Sequence, residues 1–136
     1  MSEPVSELAQ LLRAMRPELH NGTYVYAVVP PSYDVGRLDV IGSFREAEGV
    51  TVILREEVAL AAGLEVVFRA AWITLRVHSA LHAVGLTAAF AAALGVARLS
   101  CNVVAGAHHD HLFVPVEDGP AALAVLLELQ RRSALT

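Results

Sequence analysis

The chain has 136 residues, 55% of them apolar, and a formal net charge of −4 at pH 7. This length predicts one domain, or two small units packed together, with enough apolar residues to form a core. The acidic balance and the lack of a basic run exclude an electrostatic footprint for nucleic acid. The longest apolar stretch, Leu86–Ala97, is too short to cross a bilayer. Because the start MSEPVSELAQ also lacks the basic and apolar regions of a signal peptide, we expect a cytoplasmic protein.

The first half of the chain predicts a helix followed by strands. Leucines and a methionine at helical spacing predict a helix over Ser6–Met15, which Pro17 ends. After a turn at 20–22, β-branched and aromatic residues predict a strand over Thr23–Pro30. The elements that follow are a loop over Pro31–Asp39, strands over Val40–Glu46 and Val50–Arg55, and a short helix over Glu56–Ala62.

The second half predicts a similar order of elements. They are a strand over Val66–His78 with a break near Ala70, a loop over Ser79–Val84, a helix over Gly85–Leu94, strands over Arg98–Ala105 and His111–Val116, and a final helix from Asp118-Gly119-Pro120 to Arg132. Both halves thus contain strand, tight turn, strand and helix. We predict an α+β fold with antiparallel sheets and helices on one face.

The repeated order predicts two tandem units, residues 1–64 and 65–136. In the first unit, the helix between the first two strands is reduced to a loop. No final strand is predicted after Leu127 in the second unit.

A histidine-rich segment, GAHHDHLFVPV, lies at the predicted hairpin between the last two strands. Its polar cluster consists of His108, His109, Asp110 and His111. Asp and Gly are common in turns for backbone reasons alone. His109 and His111 would share a face of an extended strand, but a catalytic zinc requires a third protein ligand. With one cysteine and no HExxH motif, we predict no metal, and a metal-binding protein or hydrolase-type enzyme using the cluster is the alternative.

The segment VHSALHAVGLTAAFAAALG is the second informative stretch, because a strand ends in it and a helix begins at Gly85-Leu86. The N-terminus of a helix carries unpaired N–H groups and partial positive charge, which suit a carboxylate ligand. A glycine at Gly85 would allow a ligand or a partner backbone to approach closely. Alternatively, Gly85 only shapes the loop, and the alanines that follow it pack the helix on the sheet.

The segments VHSALHAVGLTA, NVVA and HHDHLFVP, with FREAEGVTVIL in the first half, resemble a bacterial family of short stand-alone proteins made of two tandem ACT-like units. The resemblance extends from Leu8 to Leu127. It implies a ferredoxin-like βαββαβ fold, pairing of domains, and binding of amino acids or similar small ligands at an interface. Gly85 matches the glycine after the first strand of ACT domains, which is their most informative position.

On this resemblance we predict a regulatory protein that binds a small molecule, an amino acid, and forms a homodimer, with neither catalytic activity nor a cofactor. Nucleic acid and membranes are not expected partners. The predicted ligand-binding residues are His78, Ser79, Val84, Gly85 and Leu86 around the helix start, Asn102 and Val103 on the adjacent strand, and Glu46 and Asp110 as candidates to bind the amino group. A ligand-free dimerisation module is a further alternative.

Overall fold

The structure is a computed structural model that describes residues 4–77 and 85–134. The helices are α1 (Pro4–Ala14), α2 (Glu56–Ala61), α3 (Leu86–Val96) and α4 (Gly119–Ala134). The strands are β1 (Pro17–Leu19), β2 (Tyr24–Val29), β3 (Val40–Glu46), β4 (Gly49–Arg55), β5 (Glu65–Leu75), β6 (Asn102–Ala105) and β7 (Asp110–Pro115). Among the described residues, the helices are too short or too polar to span a membrane.

The described strands form a single seven-stranded sheet with the order β3-β4-β2-β5-β7-β6, in which β1 also pairs with β5. All of these pairs are antiparallel. The first half of β5, up to Ala70, pairs with β2, and the second half, from Ala70 onward, pairs with β7. β1 lies beside Ile73–Leu75 of that second half. Because β5 is common to both halves of the sheet, the division of the chain at 64/65 stays a prediction.

The helices pack on one face of this sheet. Ile73 of β5 packs with Phe90 of α3 in one buried cluster. Val25 of β2 packs with Ala59 of α2 in another. Directly paired residues share a face and residues alternate along a strand, so the pair Val25–Arg69 places both clusters on the same side. The prediction of an α+β fold with an antiparallel sheet and helices on one face is therefore confirmed.

The opposite face of the sheet, which we call the aromatic face, is covered by ring side chains among the described residues. Its buried residues are Ile53, Ala70 and Phe113, packed against Tyr26, Phe68 and Trp72. The Tyr26 ring meets those of Phe68 and Phe113 edge to face, with centroids 5.5 and 5.6 Å apart. Edge-to-face pairs contribute roughly 0.5–1.5 kcal/mol each beyond area burial. These rings therefore shield the sheet from water without a layer of helices.

Three elements differ from the sequence-based prediction. α3 continues through Gly95, because a glycine inside a helix costs only about 1 kcal/mol and the helix is held by its buried face. β5 is unbroken at Ala70, which is paired on both sides, with Tyr24 and Pro115. β1 was not predicted, since three residues are too few to show strand periodicity.

Candidate functional site

A crevice of about 440 Å³ opens at the C-terminal end of β5. It is lined by Leu11, Ala14, Arg16, Arg76, Val77 and His109. We call it the arginine crevice. Its walls come from the end of α1, the residues before β1, the end of β5 and the β6–β7 hairpin. The crevice therefore forms where four separate parts of the chain meet beside the end of one strand.

Arg76 is held in place within this crevice. Its Nη2 and Nε donate to Oε1 of Glu18 at 2.6 and 3.1 Å. Its backbone N–H donates to the carbonyl of Arg16 at 3.1 Å. The hydrogen bond from Arg76 also lowers the pKa of Glu18. The second arginine, Arg16, is exposed. Because Glu18 offsets the charge of Arg76, the net positive charge of the crevice comes from Arg16, and it suits a carboxylate or phosphate.

The histidine-rich hairpin supplies one wall of the arginine crevice. The Gly106 N–H donates to the His109 carbonyl at 2.9 Å, which closes the turn. Asp110 is only 9% exposed. Burial raises the pKa of its carboxyl, and the charges of His111 and His109 oppose that effect. Asp110 is thus a buried acid at the edge of the crevice wall.

The prediction that His109 and His111 share a face is wrong. His109 lines the arginine crevice, whereas His111 pairs with Thr74 and lines a groove on the aromatic face. His109 lies in the turn that precedes β7, so strand alternation does not apply to it. Among the described residues, His, Cys, Asp and Glu form no group of three that could hold a metal ion.

Gly85 immediately precedes α3, as predicted, and has a φ of +105°. Its carbonyl accepts from the Ala89 N–H at 2.9 Å, the first hydrogen bond of the helix. A Cβ at Gly85 would lie 3.5 Å from a methyl group of Leu8 in α1. Leu8 thus lies at ordinary van der Waals distance from this position, and the approach of a ligand to Gly85 stays a prediction. Leu86 is buried in the helix layer.

The structure does not bring all the other predicted residues to the crevice. Val103 packs into the helix-side core, and Asn102 pairs with Phe113. Glu46 lies in the β3–β4 hairpin and accepts from the Thr51 hydroxyl at 2.6 Å. That hairpin adjoins the start of β5 through β2, whereas Asp110 pairs with the end of β5. Glu46 and Asp110 therefore lie at opposite ends of the sheet. His78, Ser79 and Val84 lie outside the described residues.

A second cavity, of about 350 Å³, lies on the aromatic face. It is lined by Ile41, Gly42, Ile53, Trp72, Val104, His111 and Phe113, and we call it the aromatic groove. Ile41 and Gly42 belong to β3 and Val104 to β6, which are the two outermost strands of the sheet. The sheet is therefore curled enough for both of its edges to line the same groove.

A chain of hydrogen bonds borders the aromatic groove. The Trp72 indole N–H donates to Nδ1 of His111 at 3.2 Å. The Thr74 hydroxyl lies 3.1 Å from the same nitrogen and 2.7 Å from Nε2 of His20. An indole N–H can only donate, so Nδ1 of His111 must carry a lone pair, and its proton resides on Nε2. Burial lowers the pKa of both histidines, which favours this neutral form.

The sequence analysis missed Arg16, Arg76 and Trp72. Arg16 and Arg76 flank strand ends without forming a recognised motif, and their nearness depends on the pairing of β1 with β5. Because β1 was not predicted, no pattern could place these two side chains together. Trp72 fits any strand pattern, and only the curl of the sheet makes it part of a groove.

Comparison with known proteins finds similarity to this chain in both sequence and fold. A family model described as ACT domain matches residues 3–71. A crystal structure of a Vibrio cholerae protein of unknown function, described as a possible transport protein, is 45% identical with a TM-score of 0.84, and the match covers 94% of this chain and 99% of that one. No curated protein matches the chain at a significant level.

More distant solved structures share only the fold. An Agrobacterium tumefaciens protein is 17% identical with a TM-score of 0.66, over 85% of this chain and 89% of that one. The regulatory subunit of aspartate kinase from Thermus flavus is 10% identical with a TM-score of 0.61, over 83% of this chain and 95% of that one. These similarities agree with the ferredoxin-like fold that was predicted.

Proposed function

Because the chain belongs to the ACT domain family, we propose that it is a non-catalytic, cytoplasmic regulatory protein that binds an amino acid. The arginine crevice is the observation that supports this proposal most directly. It lies at the end of β5 and is lined by Val77, the last described residue before Gly85 and α3. This is the part of the chain that the family resemblance assigns to the ligand.

In the proposed complex the ligand carboxylate binds between Arg16 and Arg76, which both line the crevice. Charge-assisted hydrogen bonds from guanidinium to carboxylate are about twice as strong as neutral ones. The amino group is directed towards Asp110, since Glu46 lies at the other end of the sheet. The remaining proposed contacts are His78, Ser79 and Val84 in the connection from Val77 to α3, and Gly85 and Leu86 at the start of that helix.

The enzyme alternative is not supported by the hairpin geometry. A hydrolase or metal site would require the cluster from His108 to His111 to converge on one cavity. Instead His109 lines the crevice at the end of β5, and His111 lines the groove on the aromatic face. The hairpin therefore fits a wall of a ligand site better than a catalytic centre.

We expect an amino acid at about 100 times its Kd to stabilise the fold by about 2.7 kcal/mol. For a chain of this length the melting temperature should rise by about 5–15 °C. Arg16→Gln should weaken binding by about tenfold or more, because it removes one of the two charged donors. The measurement is a thermal-shift screen of the proteinogenic amino acids, followed by titration of the best one.

Arg37→Gln is the matched control, since Arg37 is also exposed but lies in the 3₁₀ helix before β3. The Arg37→Gln variant should bind the amino acid with the same affinity as the parent protein. The proposal would fail if no amino acid at millimolar concentration shifts the parent protein, in which case a ligand-free dimerisation module becomes the better reading. An equal loss in both variants would place the ligand outside the crevice.

We also propose that the protein is a homodimer that pairs through an exposed sheet edge. The outermost strand β3 carries Phe44, which is 72% exposed. An open edge with an exposed aromatic side chain is a template for pairing. Phe44→Glu should dissociate the dimer in sedimentation equilibrium, whereas Val96→Glu, at an 87% exposed position of α3, should not. A parent protein that sediments at 14.5 kDa at all concentrations would contradict this proposal.

A further inference from the structure

The aromatic groove has the size and shape of a small-molecule site. Its volume of about 350 Å³ falls within the range of roughly 300–1,000 Å³ that is usual for such sites. Its walls come from the two edges of the curled sheet, and its floor from the centre. Ligand sites typically combine mostly apolar walls with a few fixed polar groups, and this groove combines five apolar side chains, one glycine and one histidine.

The main wall of the groove is fixed before any ligand arrives. The Trp72 ring stacks on His20, with centroids 3.7 Å apart and planes within 15° of parallel. The Tyr24 ring contacts the Trp72 ring edge to face, with centroids 5.3 Å apart. The indole N–H of Trp72 donates to His111. A wall held on three sides loses little conformational entropy when a ligand binds. The Phe113 ring lies nearly parallel to that of Trp72, at an angle of 14°.

The chemistry of these walls selects the ligand. The described residues that line the groove include no Asp, Glu, Lys or Arg. The indole N–H of Trp72 is already used by His111, so a charged ligand would be desolvated without compensation. Flat rings, in contrast, gain from stacking against Trp72, which is only partly buried. We propose that the aromatic groove is a second binding site, specific for a neutral aromatic molecule of one or two rings.

A small molecule fits this groove better than a second copy of the chain does. The groove is a concave space between two sheet edges, and a flat protein surface would leave it unfilled. The proposal does not depend on the arginine crevice, because no residue lines both cavities.

The test uses para-nitroaniline, a neutral aromatic compound that quenches tryptophan emission. Trp72 is the single tryptophan of the chain and lines the groove, so its fluorescence reports directly on occupancy. We expect quenching that saturates with increasing para-nitroaniline. Free N-acetyltryptophanamide, as a control for collisional quenching and absorption, should show a linear response only.

Gly42→Leu provides the blocking variant. Gly42 lines the groove, its φ is not positive, and a Cβ there would meet no described heavy atom within 4 Å. A leucine should therefore fill the groove without backbone strain. Gly95→Leu is the matched control, since Gly95 in α3 meets the same two conditions away from the groove. We expect Gly42→Leu to weaken binding by about tenfold or more and Gly95→Leu to leave it unchanged, with both variants folded by circular dichroism.

Three results would overturn the proposal. The first is quenching of the parent protein that does not saturate. The second is saturable binding that is equally strong in Gly42→Leu. The third is a parent dimer that Gly42→Leu dissociates, which would show that a second copy occupies the groove. The amino-acid response of Gly42→Leu should equal that of the parent, so failure of this site and failure of the arginine crevice can be told apart.

Discussion

Valine in place of Gly85 should lower the free energy of unfolding by about 1–3 kcal/mol, because a side chain is strained at positive φ. It should also abolish the stabilisation of the protein by amino acids. Gly85 has a φ of +105°, and its Cβ position faces Leu8 at 3.5 Å. A branched side chain would therefore displace Leu8 and cover the start of α3. Urea unfolding with and without the best amino acid from the screen measures both effects.

Gly63→Val separates the backbone strain from the loss of the ligand. Gly63 also has a positive φ, of +67°, and a Cβ there would meet no described heavy atom within 4 Å. It lies after α2, near the start of β5 and away from the arginine crevice. This variant should lose a comparable amount of stability and keep the full response to the amino acid. If Gly85→Val responds as strongly as Gly63→Val, the ligand binds elsewhere.

Acidification from about pH 7.5 to about pH 5.5 should destabilise the folded protein through His20 and His111, because the unfolded chain protonates its histidines in this range. Burial is the main reason that the pKa of each lies below its ordinary value of 6.5. The unfolded chain therefore takes up these protons at a higher pH than the folded chain does. The stability that the two neutral histidines contribute is fully present above pH 6.5. It is lost as the pH falls towards the lowered pKa values of the folded protein. Protonation of Nδ1 would also break the hydrogen bond from Trp72.

Other charged groups around the two histidines affect this pH range in known directions. The neighbouring cations that further lower the histidine pKa values are His109, Arg76 and Arg55. The nearby acids Glu18 and Asp110 raise them. Asp110 itself has a raised pKa, so its protonation favours the folded state and opposes the histidine effect. The measured loss of stability is therefore the sum of these opposing effects. A variant of one histidine is needed to show how much of the loss that histidine causes.

His111→Gln keeps an acceptor for the Trp72 N–H but does not titrate. Its free energy of unfolding should depend less steeply on pH than that of the parent between about pH 7.5 and 5.5. His108→Gln, in the exposed part of the same hairpin, is the control and should follow the parent slope. Urea unfolding at several pH values measures the slopes. Identical slopes in the parent and His111→Gln would rule out a contribution from His111.

The fold was largely predictable from local patterns, because most of its elements are amphipathic or β-branched segments with clear ends. Gly85 could be placed before a helix, and its positive φ is the kind of conformation for which glycine is selected. The family resemblance supplied the ferredoxin-like arrangement. What local patterns could not supply is any contact that depends on pairing between distant strands.

The candidate sites show the same limit. Asp110 was chosen from its position in the hairpin, and it lies beside the arginine crevice through His109. Glu46 was chosen from an equivalent hairpin, but the alternating directions of the strands place that hairpin at the other end of the sheet. Arg16 reaches the crevice because β1 pairs with β5, across more than fifty residues of sequence. A single sequence does not indicate which distant strands pair or in which register they pair.

The pairing of β1 with the end of β5 has a consequence for biosynthesis. Pro17 emerges from the ribosome long before its partner Leu75, and the adjoining α1 packs on α4, where Gln130 donates to the carbonyl of Arg13 at 2.9 Å. The amino-terminal segment must therefore wait until nearly the whole chain has been made before it can dock. Closing such distant contacts costs loop entropy and slows folding. During that interval the end of β5 offers an unpaired edge, and a chaperone or a second nascent chain would compete with β1 for it.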